Sequence, residues 1–224
     1  MKSDDQVCEP TVFVVDDDES VRASLVFLIK TVHLKAKAYS SAQEFLDDYD
    51  PNIPGCAVLD VRMPGMSGLE LQEALNRRGV RIPLIIVSGH GDVPMAVGAM
   101  KAGAVDFIEK PYNDQLLLDR IQEALKRDNQ SREDQSRRSS IAGRIGALTP
   151  RERQVMEMVV SGDANKVIAA KLGVSAKTVE AHRAKVMEKM EADSLADLVR
   201  AVMQSGIYKD LNGQLTNQTA EMIA

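Results

Sequence analysis

Asp60 closes the apolar run Val58-Leu59 and is followed by Val-Arg-Met-Pro-Gly-Met-Ser-Gly, a break rich in Pro and Gly. A continuous apolar run bounded by turn residues reads as a strand buried on both faces of a parallel sheet, where ligand chemistry lies just outside the strand carboxyl ends. A carboxylate so placed can act as a nucleophile, ligate a metal, or cap the helix that begins near Ser67 or Gly68, since Asp is also a common turn residue. A second acidic group, Asp16-Asp17-Asp18-Glu19, ends the β-rich run 11–15. Three successive aspartates repel one another. They form either a solvated loop that favours the N-terminus of the next helix, or oxygen donors for a divalent cation such as Mg²⁺, usually held by one or two carboxylates with waters and phosphate. Ser88 follows the apolar run 82–87, and Lys110 follows the run 105–108. Taken singly, Ser88 is a turn cap and Lys110 a solvated lysine or a point charge for phosphate. Together, on the ends of separate strands, these groups favour a shared chemical role.

Positioning them requires alternating strands and helices. Strands at 11–15, 35–39, 56–60, 82–87 and 105–108 alternate with helices at 21–32, 41–48, 68–78, 93–101 and 113–127, and Ser20 is placed to cap the first helix. Parallel strands need crossover connections. The fold class is therefore α/β, a doubly wound five-stranded parallel sheet covered on both faces, over residues 1–127. Residues 128–146 are polar and read as a linker into which the preceding helix can continue. From 147 the pattern is helical throughout. Thr149, Pro150 and Glu152 have the spacing of a capped helix start. Helix 165–172, Gly173 and helix 175–190 give a helix-turn-helix, a further amphipathic helix spans 194–204, and the domain ends near 206. The tail 207–224 gives little signal.

Composition supports two modules. The chain has 224 residues, 44% of them hydrophobic, and a net charge of −5 that hides an asymmetry. Residues 1–129 carry 14 Lys/Arg against 21 Asp/Glu, and residues 130–224 carry 14 against 12, so an acidic front half precedes a mildly basic back half. Within 165–190, Lys166, Lys171, Lys177, Arg183, Lys185 and Lys189 face only Glu180 and Glu188. Two cysteines, Cys8 and Cys56, make neither a disulfide framework nor a metal cluster, and Cys56 reads as a small core residue. The first residues are polar, and no apolar run approaches the ~20 residues that span a bilayer. The expectation is a cytoplasmic protein with no membrane partner.

The runs Val-Val-Asp-Asp-Asp, Leu-Asp-Val-Arg-Met-Pro-Gly-Met-Ser-Gly, Ser-Gly-His-Gly-Asp and Asp-Phe-Ile-Glu-Lys-Pro, in that order, resemble the receiver domain of two-component response regulators. Residues 148–205, with Leu-Thr-Pro-Arg-Glu and Asn-Lys-Val-Ile-Ala-Ala-Lys-Leu-Gly-Val-Ser-Ala-Lys-Thr-Val-Glu-Ala-His-Arg, resemble the LuxR/NarL type of DNA-binding domain. The pairing is most similar to the FixJ group. The resemblance implies a flavodoxin- or CheY-like receiver that takes a phosphoryl group on Asp60 from a sensor histidine kinase. It implies Mg²⁺ held by Asp16, Asp17, Asp60 and the main-chain carbonyl of Arg62, contact of Ser88 and Lys110 with the phosphoryl group, and a rotamer change at Phe107. It also implies double-stranded DNA as partner, RNA polymerase as a further one, and a homodimer on phosphorylation. For that dimer, Val97, Met100, Ala104 and Phe107 form an apolar face. The side chains of Arg62 and His90 read as solvated loop groups.

On helix 175–190, Val179, His182, Val186 and Met190 recur at core spacing. Lys171, Lys177, Thr178, Glu180, Ala181, Ala184, Lys185 and Lys189 are the expected DNA contacts, the second helix of such a motif entering the major groove. Relatives of this type tend to carry Lys where this chain has Glu180. The competing function is a Mg²⁺-dependent phosphatase with an aspartyl-phosphate intermediate. Such an enzyme wants a second carboxylate two residues past the nucleophile, and that position is Arg62. The chain is therefore expected to be no enzyme beyond its own phosphoryl transfer and slow autodephosphorylation.

Overall fold

The computed structural model describes residues 9–89 and 93–205. His90, Cys8 and the tail 207–224 lie outside the described residues. The chain divides into two units, Met1–Arg132 and Glu133–Ala224, each described by itself below.

In the first unit, β1 (Thr11–Val15), β2 (Lys35–Tyr39), β3 (Gly55–Asp60), β4 (Leu84–Ser88) and β5 (Asp106–Glu109) form one parallel sheet in the order β2-β1-β3-β4-β5. Every residue of β3 and β4 is buried, as the unbroken apolar runs require of strands covered on both faces. Alternate residues serve two cores. Phe13, Val15, Ala57, Leu59, Leu84 and Ile86 pack with Phe45, Leu71, Leu75 and Ala99 from α2 (Ala42–Asp48), α3 (Gly68–Arg77) and α4 (Val93–Lys101). On the other face, Val12, Val14, Cys56, Val58, Ile85 and Val87 pack with Leu25 and Ile29 of α1 (Glu19–Thr31) and with Leu117, Ile121 and Ala124 of α5 (Asp114–Gly146). Crossovers on both faces make the sheet doubly wound. The strand order reverses at β1, so the crevice outside the carboxyl ends of β1 and β3 is the topological switch point.

Several expectations change. Asp18, not Ser20, caps α1: its carboxylate accepts from the Ser20 and Val21 N–H groups at 2.8 and 3.2 Å, so the helix begins ahead of its first apolar residue. The β4 strand starts at Leu84, not residue 82, and includes Ser88. Ala104 is buried against the core, its N–H bonded to the Ala99 carbonyl, because Gly103 turns the chain inward at φ 96°. It is therefore not part of an exposed apolar face.

The helix α5 runs on past Arg127 to Gly146 through the polar linker segment, the continuation that the sequence allowed. Apolar periodicity ends there, yet the helix gains polar anchors in the first unit. Asp128 is buried and accepts from the Gly55 N–H at 2.9 Å and from Arg132 Nε at 2.7 Å. Arg132 also donates to the carbonyls of Pro51 and Ile53 at 2.9 and 3.0 Å. Burial, and secondarily the Asp128 charge, push the neighbouring Cys56 thiol far up, consistent with an inert core position.

In the second unit, α6 (Pro150–Val160), α7 (Asn165–Leu172), α8 (Ala176–Met190) and α9 (Leu195–Ser205) enclose Val155, Met156, Ile168, Val179, Val186, Leu198 and Val202, with Ile141 and Ile145 from the end of α5. The expected capping box closes at Thr149 and Glu152. Gly173, at φ 64°, supplies the left-handed turn between α7 and α8.

Asp128→Ala should orphan the Gly55 N–H and remove the carboxylate partner of Arg132 Nε. Urea unfolding of the purified chain is expected to show a loss of about 1–3 kcal/mol in the transition of the first unit; an unchanged midpoint would remove the anchor.

Candidate functional site

The strand register brings the chemistry-bearing residues to one end of the sheet. Val15 pairs with Leu59, so Asp16 and Asp60 emerge side by side. Asp60 pairs with Val87, placing Ser88 just beyond it, and Ser88 pairs with Glu109, after which comes Lys110. The Lys110 N–H donates to the Ser88 carbonyl at 2.8 Å, which carries the sheet one step further and aims the lysine inward.

Its ammonium sits between two carboxylates. Lys110 Nζ is 2.8 Å from Asp16 Oδ2 and 2.7 Å from Asp60 Oδ1. Asp16 and Asp60 are 3% and 8% exposed. Burial works against the Lys110 charge, but hydrogen bonds and Coulomb attraction from Asp16 and Asp60 outweigh it and hold the ammonium above the usual lysine range. The remaining carboxylate oxygens are fixed by the backbone: Asp60 Oδ2 accepts from the Arg62 N–H at 2.6 Å, and Asp16 Oδ1 from the Asp18 N–H at 2.9 Å. Gly68 keeps the opposite wall close, because a Cβ there would lie 2.2 Å from the Asp60 carbonyl oxygen.

Two buried carboxylates share one ammonium, so the site carries excess negative charge, and Asp17 stands exposed at its edge. The acidic donors are all oxygen, which fits a hard cation such as Mg²⁺ that uses one or two carboxylates and fills its other positions with water. Among the described residues no three His, Cys, Asp or Glu side chains are placed together so as to hold a metal ion, so Asp17 does not converge with Asp16 and Asp60 in this structure.

Of the remaining expected residues, Ser88 is buried at the end of β4, and Phe107 is half-buried on β5, paired with Ile86 and packed on the core cluster. The Arg62 side chain is exposed. On α4, Val93, Val97 and Met100 are exposed. Two participants were not anticipated: Asp18 as the loop's cap, and Arg22, whose Nη1 donates to the Asp16 carbonyl at 2.7 Å. A basic residue one helical turn past an acidic loop was the available signal.

In the second unit, Val179, Val186 and Met190 of α8 are buried and His182 is half-buried. Lys177, Thr178, Glu180, Ala181, Ala184 and Lys185 are exposed. The exposed Lys171 pairs with Asp163 at 2.7 Å. Lys189 is occupied differently: it pairs with the buried Glu152 at 2.7 Å and donates to the Ala147 carbonyl at 3.2 Å, which anchors α8 to the start of α6.

Residues 12–122 match the family described as response regulator receiver domain, and residues 146–202 the family described as bacterial regulatory proteins, luxR family. A receiver domain followed by a LuxR-type DNA-binding domain defines a response regulator of two-component systems. The chain is 48% identical over 196 residues to the transcriptional regulatory protein FixJ of Azorhizobium caulinodans, covering 88% of this chain and 93% of the relative. It is also 48% identical to nodulation protein W of Bradyrhizobium diazoefficiens, over 88% of this chain and 86% of the relative. Among solved structures it is similar to the response regulator StyR, with a TM-score of 0.81 and 43% identity over 88% of this chain and 99% of that one. Full-length FixJ from B. japonicum gives a TM-score of 0.54 and 42% identity over 88% and 98%. The chain belongs to the FixJ-like response regulators and is a transcription regulator. The matches give the phosphatase alternative no support.

The Glu152 anchor carries a pH signature. The Lys189 ammonium and the Thr149 N–H hold its carboxyl down to about 2, from an ordinary 4.5. A carboxyl depressed on folding stabilises above its unfolded pKa, and that contribution is lost as pH falls from about 4.5 through about 2. Glu152→Gln should remove this part of the acid dependence of the second unit's melting, read by circular dichroism between pH 5 and about 2; an unaltered acid limb would sink the assignment.

Proposed function

We propose that Asp60 accepts a phosphoryl group from a sensor histidine kinase and that phosphorylation controls DNA binding by α8. The observation that carries this reading is the double contact of Lys110 with Asp16 and Asp60 at the switch point of the sheet. In the transfer, a bond forms from an Asp60 carboxylate oxygen to phosphorus as the phosphorus–nitrogen bond of the donor imidazole breaks, and the imidazole leaves with the electron pair. Bound Mg²⁺, held by Asp16, Asp17, Asp60 and the Arg62 carbonyl, would neutralise the carboxylate and the incoming phosphoryl oxygens.

This chain's residues do the rest. Lys110 transfers its charge from the two carboxylates to a phosphoryl oxygen, and the Arg62 N–H keeps Asp60 oriented. The Ser88 hydroxyl contacts the phosphoryl group when the end of β4 closes on it, and the half-buried Phe107 follows, which couples charge to backbone position. The exposed Val93, Val97 and Met100 then serve self-association of the phosphorylated chain. With an arginine two residues past Asp60 and no carboxylate there, autodephosphorylation is slow. The domain division is receiver to 127, helical connector 128–146 and DNA-binding domain 147–206. RNA polymerase is a further partner, and the cytoplasm is the compartment that kinase and DNA share. On α8, Lys177, Thr178, Glu180, Ala181, Ala184 and Lys185 face the major groove, and Lys171 reaches a phosphate by exchanging Asp163 for it; Lys189 holds the helix and touches phosphate only at its margin.

Incubating the full chain with an acyl-phosphate donor and Mg²⁺ should label Asp60, and Asp60→Asn should abolish labelling. Asp18→Asn should not, since Asn caps a helix as well as Asp. Mass spectrometry that placed the phosphoryl group elsewhere would overturn the reading. The phosphorylated chain should bind its operator more tightly than the unmodified chain or Asp60→Asn. For base reading, Glu180→Ala should relax preference at one base pair by roughly 1–3 kcal/mol, since a carboxylate accepts from cytosine N4. Lys171→Ala should instead weaken all operator variants alike and reduce the salt slope by about one. An unchanged preference profile for Glu180→Ala would take that residue off the reading surface.

A further inference from the structure

The loop Asp16-Asp17-Asp18 is held by more contacts than its acidic side chains explain. The Asp16 N–H donates to the Tyr39 carbonyl at 3.3 Å, its Oδ1 accepts from the Asp18 N–H, and its Oδ2 receives Lys110. Its carbonyl oxygen has a partner of another kind, Arg22 Nη1 at 2.7 Å. Arg22 belongs to the first turn of α1, its N–H bonded to the Asp18 carbonyl at 3.0 Å. The cap at Asp18 thus sets the start of the helix, and the helix returns the guanidinium to the loop that precedes it.

The carbonyl that Arg22 holds belongs to the peptide joining Asp16 to Asp17. A peptide unit is planar, so fixing its oxygen fixes the direction in which the Asp17 backbone leaves the strand. Asp17 is exposed, and its side chain is not what orients the loop. The Glu44 carboxyl is held low chiefly by the Ser40 N–H and hydroxyl and, to a lesser degree, by the Arg22 charge.

We infer that Arg22 is a positioning residue for the cation that serves Asp60: it holds the Asp16–Asp17 peptide so that Asp17 is presented toward the metal. This rests on the phosphoacceptor reading above. Two effects of the guanidinium have opposite sign. As a positive charge near a cation site it opposes binding, whereas as the clamp on the peptide it favours binding. The clamp prevails, because the guanidinium is engaged with a main-chain oxygen, and the carboxylate oxygens of Asp16 are occupied by other donors.

The test is a Mn²⁺ titration of the full chain, followed by the electron paramagnetic resonance of free Mn²⁺ and by competition with Mg²⁺. Arg22→Met should weaken binding by about tenfold, the scale of one lost charge-assisted hydrogen bond. Arg22→Lys, which keeps a donor of similar reach, should recover most of the affinity. In acyl-phosphate labelling, the Mg²⁺ concentration for half-maximal rate should rise by a similar factor for Arg22→Met, with the rate at saturating Mg²⁺ unchanged. Equal or tighter Mn²⁺ binding by Arg22→Met would overturn the inference, since charge repulsion alone predicts tightening. So would a lowered plateau with an unchanged Mg²⁺ requirement, the mark of a fold brace. If Arg22→Met fails to fold, Arg22→Gln and Arg22→Lys carry the comparison. Asp17→Asn and Asp60→Asn separate the two readings: if neither alters Mn²⁺ binding, the cation site itself is elsewhere and the Arg22 inference falls with it.

Discussion

Two carboxylates on adjacent parallel strands are a conflict that the fold resolves with one ammonium. Asp16 and Asp60 leave β1 and β3 side by side because the register fixes Val15 against Leu59, and both are almost fully buried. Uncompensated buried charge is among the costlier features a chain can carry. Lys110 arrives from the far side of the sheet, two strands away, and its placement depends on β4 and β5 continuing one residue past the last apolar position. A site arranged this way is stable but not saturated. It holds one more negative charge than positive, so a cation and a phosphate can enter together with little change in net charge.

The sheet can support such a site because its central strands have no solvent-facing side. With β3 wholly buried, Asp60 cannot be reached from the flanks, and access is from the strand end alone. Gly68 matters here for its missing side chain. The N-terminus of α3 lies against the Asp60 carbonyl, and any Cβ would force the helix off the Asp60 backbone.

Much of this was legible in the chain, and the remainder was hidden for definite reasons. The unbroken apolar runs ending at Asp60 and Ser88 gave strands, and the β1 and β2 bounds agree with the sequence reading residue for residue. The Thr149 and Glu152 spacing gave a capping box that is present. What periodicity could not report was polar anchoring. The continuation of α5 past Arg127 has almost no apolar stripe, and it is fixed by Asp128 and Arg132, whose partners at Gly55, Pro51 and Ile53 are more than seventy residues away in sequence. Lys189 looked like a phosphate ligand because a basic residue on the second helix usually is one, yet its partner Glu152 is distant in sequence and known only once the helices are packed. Asp18 and Ser20 are both good caps, and only the backbone decides between them. Charge and spacing marked Asp16, Asp60, Ser88 and Lys110 as one group; they could not identify which charges are consumed by the fold.

The middle of α5 has a further consequence. Its early turns bury Leu117, Ile121 and Ala124, and its last turns bury Ile141 and Ile145, but residues 135–140 are exposed throughout. Packing therefore places no demand on which side chains stand there, while the backbone still has to be helical. Selection can act on that stretch only through propensity, so the spelling is free to drift among Arg, Gln, Glu, Ser and Ala with changes of a few tenths of a kcal/mol, whereas a single Pro would cost about 3 kcal/mol. Related chains that have diverged beyond recognition across these six positions would carry the same helix.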